Sequence, residues 1–118
     1  MAIQKFEEII AWQKAQELAV EIYNEFGNSK DYGFKDQLTR AAVSISNNIA
    51  EGFDRSSDAD FSRFLYIALA SCSEVKSMFY LAEKLKYLTI QRRDLLIEKA
   101  IEVSKIINGL IKSVAPKH

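Results

Sequence analysis

Proline, glycine, cysteine and histidine are all scarce in this chain, and each scarcity excludes something. The single proline, Pro116, lies in the tail, and only four glycines are spread over 118 residues. With so few breakers, long uninterrupted helices are expected. One cysteine, Cys72, rules out an intrachain disulfide and fits a reducing compartment. The one histidine is the final residue, His118. No Ser-His-acid or Cys-His arrangement and no H-E-x-x-H motif can therefore be written. The Glu-x-x-His pairs of a di-iron bundle and the Cys/His clusters of a zinc site are missing as well. No catalytic residue, metal site or cofactor is expected, and the glycines form no phosphate-cradling loop. No apolar run approaches the ~20 residues of a membrane span, and the opening M-A-I-Q-K-F-E-E has no apolar signal core. A cytoplasmic protein without a membrane partner is expected.

Net charge is also absent, since 16 Lys and Arg balance 16 Asp and Glu. The balance is uneven along the chain. Residues 1–60 hold 6 basic and 11 acidic residues, a net of −5, and residues 61–118 hold 10 basic and 5 acidic, a net of +5. Such asymmetry can orient partners or copies, but it does not by itself indicate nucleic acid.

What the chain does have is helical periodicity. Hydrophobic residues at 48% and charged residues at 27% suit one folded domain over 1–118. Phe6, Ile9, Ile10, Ala15, Leu18, Ala19, Ile22, Tyr23 and Phe26 form one apolar face, with Glu17, Glu21 and Glu25 on the wet one. A first helix is expected over about 6–26, stopped by Gly27-Asn28 with access to left-handed angles. A second should run over 35–52, from just after Gly33 to Gly52. Ser57 with Asp60 three positions on resembles a capping box for a third helix over 58–86. Phe61, Leu65, Ala68, Cys72, Val75, Phe79 and Ala82 make its seam. Thr89 should cap a fourth over 90–114, with Leu96, Ala100, Val103, Ile107, Leu110 and Val114 inside. This spacing and the short connections predict an all-α, up-down-up-down antiparallel four-helix bundle. Helix three carries more apolar residues than its seam needs: Phe64, Tyr66, Ile67, Leu69, Met78, Tyr80, Leu81 and Leu85. Helix four adds Ile97, Ile101, Ile106 and Ile111. A contiguous surplus face predicts self-association.

The most informative stretch is Gln37 to Gly52, Q-L-T-R-A-A-V-S-I-S-N-N-I-A-E-G. Arg40, Ser44, Asn47, Asn48 and Glu51 recur at steps of three and four and so form one polar stripe. Asn and Ser are mediocre helix formers, so the stripe is read either as a hydrogen-bonding partner surface or as a close helix contact. In an antiparallel hairpin, the register sets Arg40 opposite Glu74 and Glu51 opposite Arg63. Two ion pairs would then bracket Ser44, Asn48, Ala70 and Ser71. A second cluster, Lys84, Lys86, Arg92, Arg93 and Lys99, belongs at the turn between helices three and four. Lys30 and Lys35 join it at the same end of an up-down bundle, with Tyr32 and Tyr87 nearby. That end is read either as a contact for structured RNA or DNA, with tyrosines to stack on bases, or as a solvated, lysine-rich surface.

The central motif, Gln37, Arg40, Ala41, Ser44, Ile45, Asn48, Ile49, Glu51 and Gly52, resembles the core of the 23S ribosomal RNA intervening-sequence protein family. Phe61, Phe64, Leu65, Ile67, Ala68, Ser71 and Glu74 fit its following block, and Trp12, Lys14, Ala15, Leu18 and Tyr23 its first helix. The chain departs from the family at Ser46, where members often carry proline, and at Ala70, where they often carry glycine. The loop from Gly27 to Gly33 also lacks the usual proline and glutamate. The resemblance implies a four-helix bundle that forms ring-like homopentamers. It extends to the related accessory proteins of diversity-generating retroelements, which bind nucleic acid and a reverse transcriptase but are far more basic. The expectation is a non-enzymatic homo-oligomeric bundle that binds structured RNA or DNA through its basic end. The alternatives are a protein-interaction scaffold, or a small helical enzyme holding an anionic substrate with converging Arg and Lys side chains.

Overall fold

The computed structural model describes residues 3–114. A 3-10 turn at Phe6–Glu8 precedes four helices, α1 (Ile10–Phe26), α2 (Tyr32–Phe53), α3 (Asp58–Lys84) and α4 (Ile90–Val114). Consecutive helices pack side by side and α1 returns to α4, while α1 and α3, like α2 and α4, are diagonal. The result is the expected up-down-up-down bundle, 48 Å long and 21 × 19 Å across.

The helix boundaries follow from their caps. α1 begins later than periodicity predicts. Glu8 turns back to accept from the backbone N–H of Lys5 at 2.9 Å, which closes the 3-10 turn, and Ile9 is extended and buried. α2 begins earlier, because the Asp31 carboxylate accepts from Phe34 N–H at 3.2 Å and draws Gly33 into the first turn. Ser57 accepts from Asp60 N–H and Thr89 from Arg92 N–H, both at 3.1 Å, as expected of caps. Gly27 does not use left-handed angles; its φ is −59°. The left-handed position is Lys86, with φ 67°, which ends α3 two residues short of the expected 86. There Lys86 N–H donates to Glu83 O and Tyr87 N–H to Ala82 O, the paired bonds of a Schellman motif.

Every expected seam residue of α3 is buried, and on α4 all are buried but Leu110, which is half-buried. Phe79, Leu65, Ile45, Ile49, Leu18, Ile22, Leu96 and Ile107 form the deepest layer. The surplus apolar residues divide. On α4 the expected extra face does not exist: Ile97 and Ile111 are buried, while Ile101 and Ile106 pack against the core. On α3, Met78 turns inward, Phe64 is buried under Arg55 and Arg63 at the edge of the core, and Leu69 is half-buried, but Tyr66, Ile67, Tyr80, Leu81 and Leu85 stay 41–58% exposed. Burial of a side chain is set by how closely its neighbours approach, and periodicity alone cannot give that distance.

α2 and α3 approach closely at Gly52. A Cβ added at Gly52 would lie 2.6 Å from Phe64 Cβ and 3.1 Å from Phe61 Cδ1. Only glycine fits, so the motif's final residue is there for helix packing. Gly52→Ala is expected to cost about 1–3 kcal/mol through overpacking. Gly33→Ala, where a Cβ meets nothing within 4 Å, should be neutral or gain roughly 0.5 kcal/mol. Denaturant unfolding of the two variants checks the contrast, and equal stability would refute the close approach.

Candidate functional site

The stripe on α2 separates into an inner and an outer edge. Ser44 Oγ lies 3.0 Å from Ser71 Oγ, and Asn48 Nδ2 donates to both Ser44 O at 2.8 Å and Ser44 Oγ at 2.9 Å. These small side chains occupy the α2–α3 contact line, in the register the hairpin implies. The outer edge, Arg40, Asn47 and Glu51, is exposed.

Neither expected ion pair forms. Arg40 and Glu74 do not meet; Glu74 instead accepts from Gln37 Nε2 at 3.4 Å. Glu51 and Arg63 do not meet either, because Arg63 pairs with Asp60 at 3.5 Å on its own helix and lies over the Phe64 ring. Arg55 covers the same ring, both guanidinium centres being 4.8 Å from its centroid. The register is right, but the serines take the contact line and leave the charges on its flanks. Remaining hydrated, these charges avoid the desolvation that a buried pair would impose. Beside the outer edge runs a shallow groove of about 390 Å³, lined by Tyr23 of α1 with Thr39, Arg40, Val43, Ser44, Asn47 and Asn48.

The α1–α2 and α3–α4 connections meet at one end of the bundle, where much of the basic charge is neutralised. Tyr87 donates its hydroxyl to Asp31 at 2.6 Å, tying the α3–α4 connection to the α1–α2 connection. Arg92 pairs with Glu25 at 2.7 Å and Lys99 with Glu21 at 3.1 Å. Arg93 is held by Glu83 at 2.8 Å and Asp94 at 2.9 Å and lies over the Tyr80 ring. Lys35 sits over Tyr32, 5.0 Å from the ring centroid. Lys30, Lys84 and Lys86 are exposed and have no ion-pair partner among the described residues. Tyr87 is engaged by Asp31 and by the edge of Phe34, whereas Tyr32 is 64% exposed.

The partners Glu21, Glu25 and Glu83 are not legible as such in the sequence. Glu21 and Glu25 carry the periodicity of a wet face, and only the antiparallel running of the pairs Glu25–Arg92, Glu21–Lys99 and Lys14–Glu102 identifies an α1–α4 seam. That seam is loosely packed, with an open groove of about 750 Å³ between charged rims and a floor of Leu18 and Val103. Gln16 gives no sequence signal either; its amide donates at 3.0 Å to the fully buried Ser46.

Among the described residues, no three His, Cys, Asp or Glu side chains gather as a metal site would need, and no helix is long and apolar enough to cross a membrane. His118 and Pro116 lie outside the described residues. Burial pushes the Cys72 thiol up to about 11, partly countered by a hydrogen bond with Ser104, so it serves as a small core residue. Arg40 and Arg63 are exposed and Lys76 is half-buried; they do not converge inside the bundle as an anionic-substrate enzyme would require.

The Asp31–Tyr87 contact links fold and pH. Tyr87's hydrogen bond first, and Phe34 N–H second, hold the Asp31 carboxyl below its ordinary value, while the same contact raises the Tyr87 phenol. The Asp31 contribution to stability is present above the unfolded value near ~4 and is lost as pH falls through its lowered folded value. The Tyr87 contribution is present below ~10 and is lost as pH rises through its raised value. Tyr87→Phe keeps the ring, removes the phenol's contribution and leaves Asp31 only the Phe34 N–H bond, so its melting temperature should vary less at each extreme. Superimposable pH profiles for the variant and the parent would refute the linkage.

A model of the 23S rRNA-intervening sequence protein family matches residues 7–109. The chain is also similar to a crystallised protein of unknown function from the S23 ribosomal protein family of Bacteroides thetaiotaomicron. That similarity has a TM-score of 0.79 at 27% identity and covers 87% of this chain and 96% of the other. No curated protein matches the chain.

Proposed function

Since the chain belongs to the 23S rRNA-intervening sequence protein family, we propose that it acts as a non-enzymatic, self-associating helical bundle. The observation that carries this reading is the α3 face. Tyr66, Ile67, Tyr80, Leu81 and Leu85 remain 41–58% exposed, separated by exposed Ala70, Ser73 and Ser77. Small residues between large apolar ones suit a helix that another helix approaches closely, and an exposed face with this many large apolar side chains suits an interface. A ring of five copies, as the family resemblance implies, would have a mass of about 67 kDa (five times 13.4 kDa). Light scattering at micromolar concentration should find an oligomer. Ile67→Glu with Leu81→Glu should dismantle the α3-built assembly, seen as a large fall in mass, without loss of helicity. A parent chain that stays at 13.4 kDa across concentrations would overturn the reading.

Contact with structured RNA or DNA is a second reading, supported by the free Lys30, Lys84 and Lys86 beside exposed Tyr32. Three unpaired lysines are few for one neutral protomer, but an assembly repeats them and gains through effective concentration. Binding should weaken with salt, with a slope near −0.9 per phosphate contacted on duplex. Lys84→Glu with Lys86→Glu is the informative variant, because reversing Arg92 or Arg93 would also break the ion pairs that hold this end. The expected outcome is loss of binding in a polarisation assay with the oligomer intact. If the intact parent oligomer binds neither structured RNA nor duplex DNA at low salt, a protein-interaction scaffold replaces this reading.

A further inference from the structure

The α3 face leaves the outer edge of α2 unexplained. Arg40, Asn47 and Glu51 are exposed and have no ion pair or side-chain hydrogen bond among the described residues. With Ser44 they fall at steps of four, three and four, so they share one line along the helix. Arg40 and Glu51 are eleven positions apart, roughly 16 Å of helix, and Ser44 and Asn47 stand symmetrically between them. The line therefore has a positive end, a hydrogen-bonding middle and a negative end. Turned end for end, it is its own complement.

The geometry points to a two-fold contact between the α2 helices of two copies of this chain, laid antiparallel. Arg40 of each copy meets Glu51 of the other, and the Asn47 amides stand near the axis, while Ser44 stays engaged with Ser71 and Asn48 within its own copy. One patch serves both copies, as an isologous interface requires. The groove of about 390 Å³ between Tyr23 and α2 runs beside the line and gives the other copy's helix a seat, with half-buried Val43 along it. Small side chains at the centre let the two axes approach. Two unlike pairs formed together set the direction and register, where a lone apolar patch would leave both free. This contact shares with the reading above only the identity of the partner, a second copy. It uses a different face, so it pairs whatever assembly α3 builds.

Charge exchange on the full chain tests it, with association constants from sedimentation velocity over a concentration series at low salt. Arg40→Glu alone and Glu51→Arg alone each create two like-charge pairs and should weaken the contact ~10-fold or more. The double variant R40E/E51R should restore it. So should an equimolar mixture of the two single variants, in which a copy with carboxylates at both ends of the line meets a copy with guanidiniums at both ends. Helical melting curves should be unchanged, because both side chains are exposed. If neither single variant moves the association curve while the α3 variants still fall to monomer, the α2 contact is refuted and the α3 reading stands. If the single variants weaken association but neither the double variant nor the mixture rescues it, the antiparallel pairing is wrong. A parent chain that is monomeric throughout overturns both.

Discussion

The closeness of α2 to α3 governs most of what this molecule presents to its surroundings. Gly52 lets the end of α2 lie against Phe61 and Phe64, and Ser44 with Ser71 continues the contact one interaction further along. Two helices brought together by residues this small have no room for long side chains between them. Arg40, Glu51, Arg63 and Glu74 are pushed to the flanks, where they remain hydrated. The same closeness draws Phe64 under two guanidinium groups. The outer surface of the hairpin is thus a by-product of how its inner surface is packed.

The opposite side of the bundle is built on another principle. α1 and α4 are bridged by Glu25–Arg92, Glu21–Lys99 and Lys14–Glu102 over a groove that side chains do not fill. Exposed pairs of this kind contribute ~0–1 kcal/mol each and are screened by salt. They also consume cations that the end of the bundle would otherwise offer to a polyanion. One set of contacts thereby steadies the seam and lowers the positive potential of that end, which explains how a visibly basic stretch of sequence folds into a much less basic surface.

The architecture is largely legible in the sequence. The seam of α3 from Phe61 to Ala82, the caps Ser57 and Thr89 and the hairpin register all follow from local rules of spacing and hydrogen bonding. The departures lie where distance between elements decides. Ile97 and Ile111 look like surplus until α4 is seen to rotate them inward. Arg40 and Glu74 share a register, but their side chains flank the contact line. Gly27 ends α1 in right-handed angles, whereas Lys86 takes a left-handed angle beyond α3, where the Schellman bonds and the tether from Tyr87 to Asp31 hold the turn. Legibility of the candidate surfaces is lower still. Positive charge can be counted along a chain, but neutralisation by Glu21, Glu25 and Glu83 requires knowing which helices are neighbours.

The uneven closure of the bundle has a dynamic consequence. α1 is docked on α2 by apolar packing, whereas along α4 hydrated charge pairs rim an open groove above the apolar floor, so water reaches that seam more readily. Local opening free energies follow such differences in burial. Amide protons of α1 should therefore exchange with solvent sooner than those in the middle of α3, and the difference should widen as salt is added. The α2–α3 hairpin is then the slow-exchanging unit of the molecule, and α1 the helix that reports its surroundings first.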